Sequence, residues 1–297
     1  MATAPGVLLD VNAYRLAEPR FVALVELERS RGVARYADPF VLTELLAHLA
    51  DPHDPDFGWC QSAVIRMYRR CGGDGPCGIL RDTESRVHEL ITGTGIAKHE
   101  AHTEQLRLLL MHVGSRRPLS GIQPQLSTLK AHIAQVEAEF ADHMGRSRDA
   151  IAAALDHEDP EERSRLRKNA MGWVGSEPRQ RQMAERVIED SLRDSGAPVP
   201  TPVPASLVTR VRDALAVGLE FEAQMLRKTL FDGANLDAPH IRNLRWDQRI
   251  AYNVGQTIRG QPLWVVTDDL AFSAAATPVG LGDRVHTLAR YEQWLRT

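Results

Sequence analysis

Apolar and polar positions along the chain follow two regimes. Near the start, Val7-Leu8-Leu9-Asp10-Val11 is a run of aliphatics around one acid, preceded by Pro5-Gly6, and reads as a short buried strand. Phe21, Leu24, Val25 and Leu27 then recur at helical spacing, Gly32 ends that segment, and Val33 to Tyr36 reads as a second strand. Asp38-Pro39 is a cap and first-turn pair for a helix running to about Leu49. The end of the chain returns to this alternation. Asp247 to Ile258 has helical spacing through Ile250, Ala251, Val254 and Ile258, and Leu263 to Val266 is a continuous apolar strand. Arg284 to Leu288 reads as another strand and Arg290 to Leu295 as a closing helix. Strands alternating with helices at both ends predict a mainly parallel sheet with helices on its faces.

The middle, from about Thr83 to Leu230, shows helical punctuation and almost no strand pattern. Asp159-Pro160 and Ser176-Glu177-Pro178 mark helix starts, and Gly196 marks a stop. Leu126, Leu129, Ile133, Val136 and Phe140 step by three and four and form one stripe for a partner helix. A second stripe, Val208, Val211, Leu215, Leu219, Leu226 and Leu230, is expected on one helix beginning near Pro204. Ala197 to Pro204 alternates with proline and is expected to be an extended, stiff connector.

At 297 residues with 43% apolar and 25% charged side chains, the chain has the composition of a globular protein with one large domain or two small ones. A formal charge of -3 excludes a globally basic nucleic-acid coat but leaves room for a local basic groove. Of the 36 basic side chains only Lys98, Lys130, Lys168 and Lys228 are lysines. Cys60, Cys71 and Cys77 form no CxxC pair and are too few for a disulfide framework, so a reducing cytoplasm is the expected location. No secretory signal pattern and no run of about 18 apolar residues is present, so no membrane partner is expected.

Candidate chemistry lies in acids at strand ends and helix starts. Asp10 closes the first strand, Glu44 sits between apolar positions of the second helix, Asp247 opens the helix after Trp246, and Asp268 and Asp269 end the strand that begins at Trp264. Strand ends at the carboxyl edge of an open α/β sheet are the usual place for a site. Clustered carboxylates without a neighbouring lysine repel one another unless a hard divalent cation holds them, and Mg²⁺ or Mn²⁺ is the expected cofactor. Each acid alone also reads as a turn former, a helix cap or a surface residue.

In order and surroundings these segments resemble the PIN domain, the nuclease fold of VapC-type toxins and of several RNA-processing nucleases. Val7-Leu-Leu-Asp-Val-Asn12 is similar to the family's first strand, and Pro39 to Leu45 to its Pro-x-x-x-x-Glu-Leu helix. Asp247-Gln-Arg-Ile-Ala251 and Thr267-Asp-Asp-Leu-Ala-Phe272 are similar to its last two segments. The resemblance covers roughly residues 6–70 and 240–297. It implies a three-layer α/β/α PIN-like core with a central mainly parallel sheet, in two parts, 1–75 and 239–297, around a large all-α insertion, 76–238. It also implies that Asp10, Glu44, Asp247 and Asp269 are catalytic metal ligands and that Asn12 and Thr267 support them by hydrogen bonds. Asp268 stands as a helper, an alternative ligand or an exposed acid.

The function so implied is a metal-dependent endonuclease that uses metal-activated water, with RNA a more expected substrate than DNA. An antitoxin or other regulatory protein, and a second copy of the chain, are further partners that the resemblance leaves open. Two other readings remain: a non-catalytic PIN-like scaffold binding RNA or protein, and an unrelated metal-dependent hydrolase of small phosphate esters. Arg245 and Arg249 flank Asp247 and are the arginines expected to meet a phosphate, and Trp246 is either a base-stacking or a core residue. His99-Glu100-Ala101-His102 has the wrong spacing for a zinc-protease helix. Glu222 lies on an apolar stripe and is expected to have an arginine partner. No Gly-rich phosphate loop, Rossmann fingerprint or nucleophile elbow occurs.

Overall fold

A computed structural model describes residues 4–72, 78–156, 159–232 and 239–297, the side chains of 239–242 excepted. Cys77 lies outside the described residues; Cys60 and Cys71 are free and buried. The described chain is mostly helical around a small mixed sheet.

Strand β1 (Gly6–Leu9) is central. It runs parallel to β2 (Ala34–Ala37) on one side and to β5 (Gln261–Val266) on the other, with Leu8 opposite Tyr36 and Leu9 opposite Val266. β3 (Gly78–Ile79) extends the sheet parallel to β2, and β6 (Val285–His286) lies parallel to the end of β5. Among the described strands only β4 (Thr257–Ile258) is antiparallel, in a hairpin with β5. Val7, Leu8, Leu263 and Val265 have no exposed surface, which is why these strands read as unbroken apolar runs.

In chain order the helices are α1 (Glu18–Ser30), α2 (Pro39–His48), α3 (Phe57–Cys71), α4 (Thr83–Thr92), α5 (Ala97–Gly114), α6 (Gln123–Leu155) and α7 (Pro160–Val174). They continue as α8 (Glu177–Ser195), α9 (Ala205–Ala214), α10 (Ala216–Leu226), α11 (Pro239–Ala251), α12 (Leu270–Ala276) and α13 (Leu288–Arg296). Asp159 caps α7, Ser176 caps α8 and Gly196 closes α8 at φ 75, so the punctuation read from the sequence sits where it was expected. None of the described helices is long and apolar enough to cross a membrane.

The middle helices do not pack only on one another. α5 lies against α3 and α6 against α2, and Leu106, Leu110, Leu126 and Phe221 share one core with Leu8, Leu42 and Val265. A smaller cluster joins Val87, Ile188, Val208 and Leu219 to Tyr252. The proline-rich connector forms neither helix nor strand and bends at Thr201-Pro202, where the expectation was a straight extended segment, and its Val199 and Val203 pack onto this cluster.

Three expected elements differ. The helix expected over 247–258 is α11, which ends at Ala251; Thr257 and Ile258 instead pair with Pro262 and Gln261 across Arg259-Gly260, both at positive φ. Two left-handed residues make the mirror-image turn that suits a hairpin, and Arg-Gly signals it less clearly than Asn-Gly would. The single helix expected from Pro204 to Leu230 breaks at Leu215 and ends in a π-helical turn, Arg227–Phe231. The break sets Gly218 against the Tyr252 ring, where a Cβ would stand 1.9 Å from a ring carbon. Of Arg284 to Leu288 only Val285 and His286 are extended, because Thr287 caps α13.

Candidate active site

The strand order reverses direction between β1 and β5: the chain leaves β1 toward β2 and later enters β5 on β1's other side. The crevice outside the carboxyl ends of strands at such a point is where open α/β sheets bind ligands. Asp10 and Thr267 are the residues that follow those two strands. The Asp10 amide donates to the Val266 carbonyl at 3.0 Å, and its carboxylate accepts from Val11 N at 2.6 Å and from Thr267 Oγ1 at 2.9 Å. Thr267 Oγ1 in turn accepts from the Asp269 amide at 3.1 Å, and Asp269 Oδ1 caps α12 by accepting from Ala271 N at 2.8 Å. One hydroxyl therefore links both strand-end acids.

Helices supply the other two acids. Asp38, fully buried, accepts from Phe40 N and Val41 N and fixes the start of α2, which carries Glu44. α11 packs on α2 and α6 and carries Asp247. Trp246 is buried, sits 6.2 Å from the Phe40 ring and donates to Glu137 Oε1 at 3.2 Å, so it anchors α11 rather than offering a free stacking face.

The four carboxyl groups act on one another. Burial and the charges of Asp10, Asp269 and Glu44 push Asp247 up to about 8. Glu44 is raised to about 6 by burial, with Asp10 and Glu137 adding to the shift and His48 opposing it. Burial raises Asp10 as well, against the hydrogen bonds from Thr267 and Val11, and Asp269 adds repulsion. An all-oxygen, like-charged, half-buried donor set is the chemistry that a hard divalent cation satisfies. No three of these acids bring ligand atoms within 4.8 Å of one another; among the described residues, the groups that do are His48, Asp54 and Asp56, and Asp82, Glu84 and His99.

The chain matches no family model, no curated protein and no solved structure. Geometry and chemistry are therefore the grounds for a functional reading.

The remaining candidate residues divide. Asn12 is exposed on the 3-10 turn (Val11–Arg15) directly after Asp10. Asp268 is exposed and turned to α13, where it accepts from Leu288 N at 3.0 Å. Arg249 is ion-paired with Glu84 and lies over the Phe40 ring, and Arg245 donates to Gln248 Oε1 at 2.7 Å, so both arginines already have protein partners. Glu222 has its expected arginine: Arg179 stands at 3.6 Å, and Gln248 and Tyr252 donate to its carboxylate.

Sequence reasoning missed Glu137 and Arg15. Glu137, on α6, adds a fifth acid at the margin, while Arg15 draws on both Asp10 and Glu44 and stacks on Trp59 at 4.3 Å. Glu137 follows the stripe residue Val136 and had that one signal; Arg15 had only its nearness to Asp10.

Proposed function

We propose that the chain is a divalent-metal-dependent endonuclease with a PIN-like α/β/α core, acting on RNA more than on DNA, with Asp10, Glu44, Asp247 and Asp269 as the metal-binding acids. The observation that carries this reading is the raising of Asp10, Glu44 and Asp247 by burial and then by neighbouring carboxylates, at the point where strand order reverses. Folding alone has no use for such a cluster, because like charges brought together oppose it.

The residues divide the work. Thr267 donates to Asp10 Oδ2 and accepts from the Asp269 amide, which ties both acids to the sheet edge. Asp247, at about 8, keeps a proton on its carboxyl at neutral pH until a cation takes that place, which couples metal loading to proton release. Arg15 brings positive charge to the rim, where a phosphodiester approaching four acids needs it. Mg²⁺ or Mn²⁺, when bound, lowers the pKa of water and stabilises the charge that develops on the phosphodiester. Preference for RNA, and a role as the toxin of a toxin–antitoxin or defence pair, come from the family resemblance.

The test is cleavage of single-stranded RNA and DNA in Mg²⁺ and Mn²⁺ by the parent protein and by Asp10→Asn and Asp247→Asn. Both variants are expected to lose about 10²- to 10³-fold in rate, and expression of the parent, not of Asp10→Asn, is expected to arrest growth. Metal-dependent cleavage that survives both substitutions unchanged would end the proposal.

A further inference from the structure

A cavity of about 1080 Å³ opens between β2, β3, α4, the α9–α10 junction and the β4 turn, and none of the four acids lines it. Its size is at the upper end for a small-molecule site. Arg35, Arg81, Arg86 and Arg259 line it, and Glu89 is the one acid among the described lining residues. Glu89 is already taken: Arg81 pairs with it at 2.6 Å and with Glu100 at 2.8 Å. The other three arginines make no ion pair with a described residue.

Two of them have unmet donors. Arg35 is half-buried, and its Nη1 is buried with no acceptor. Arg86 donates to the Asp82 carbonyl and to Thr83 Oγ1, both at 3.2 Å, and still keeps a buried Nη1 without a partner. Burial pushes the Arg86 guanidinium down to about 10 even though Asp38 and Asp82 oppose the shift. Buried guanidinium donors left unmatched are costly, and a bound anion is one of the few explanations for keeping them.

The floor is aromatic. The Tyr36 ring lies across its neighbouring strands at two glycines: a Cβ at Gly6 would stand 2.7 Å from the ring and one at Gly78 2.9 Å. Glycine at both positions lets the ring lie flat, and Val87, Leu90 and Ile258 line the cavity around it. An aromatic surface beside arginines that make no ion pair with a described residue fits a ligand with a planar apolar part and phosphates.

We propose that this cavity binds a nucleotide, its base against the Tyr36 ring and its phosphates on Arg35 and Arg86. The site is distinct from the acid cluster and does not depend on the nuclease reading.

Calorimetric titration of the full chain with ATP and GTP, in EDTA, tests it. Saturation with a Kd below about 1 mM is expected for at least one of the two. Arg35→Gln, which has no ion pair to lose, should weaken that binding about tenfold, and Tyr36→Leu should weaken nucleotide binding while leaving binding of inorganic triphosphate unchanged. Asp10→Asn should bind nucleotide as the parent does, so loss of cleavage and loss of nucleotide binding are separable. Failure of both nucleotides to saturate, unchanged affinity in Arg35→Gln, triphosphate binding as tightly as the nucleotide, or binding of a single-stranded oligonucleotide without either mononucleotide would overturn the proposal.

Discussion

Two buried groups of charged residues flank the same central strand, and they are built on opposite rules. Under β1 and β2, Arg70 and Glu28 are both fully buried, and their charges cancel. Arg70 donates to both Glu28 oxygens and to the Val7 and Tyr36 carbonyls, and Tyr291 donates its hydroxyl to Glu28 at 2.8 Å. Beyond the carboxyl end of the same strand stand Asp10, Glu44, Asp247 and Asp269, where the signs repeat and burial, with repulsion added, lifts Asp247 to about 8. The first group joins α3, α1 and α13 to the sheet and asks for nothing from outside. The second is complete only with a positive partner, and that difference separates a structural network from a candidate site.

The sharpest way to break the comparison is to remove one partner of the satisfied network. Arg70→Met should cost about 3–5 kcal/mol, because it leaves the Glu28 charge buried and unpaired. Adding Glu28→Leu to that variant should restore much of the loss, since an apolar pair of similar volume avoids the desolvation of both charges. Urea unfolding of the two variants measures this. A single variant as stable as the parent would mean that the network carries little of the fold.

The acid cluster should respond in the opposite direction. Asp247 has a folded pKa near 8 against an ordinary value of 3.8, so between those limits the folded state binds more protons than the unfolded one. The contribution of Asp247 to stability without metal should therefore be greatest below about pH 4, fall as pH rises toward 8, and stay low above it. Asp247→Asn should flatten this decline and add about 1–2 kcal/mol at pH 8, while adding nothing near pH 4. Thermal melting in EDTA across that range checks the sign. A variant less stable than the parent at pH 8 would show that the carboxylate is matched by something other than a cation.

Much of this difference was legible along the chain, because it is local. Asp10 at the end of an apolar strand, Asp38-Pro39 ahead of α2 and the Thr267-Asp-Asp turn each announce their own geometry within a few residues. What could not be read depends on contacts across the fold. Nothing near Arg249 points to Glu84, 165 positions away in sequence, and nothing near Trp246 points to Glu137. Periodicity also carried the second stripe straight through Leu215, since a break made to seat Gly218 on Tyr252 leaves the apolar pattern intact. The same holds for Asp247, whose segment reads as a helix start although α11 begins eight residues earlier.

The smallest expected effect distinguishes two neighbouring acids. Asp268 and Asp269 cannot be told apart by type, yet Asp269 caps α12 and repels Asp10, whereas Asp268 accepts from Leu288 N at the start of α13. Asp268→Ala removes one capping hydrogen bond at an exposed position, so a cost of about 0.5–1 kcal/mol is expected. Its metal-dependent cleavage should match that of the parent, because the side chain faces α13 and not Asp10. Asp269→Asn keeps the cap oxygen and removes the charge, so it should hold stability while losing activity. If Asp268→Ala were the variant that lost cleavage, the cluster would have to be redrawn with Asp268 inside it, although Thr267 Oγ1 links Asp10 to Asp269 and not to Asp268.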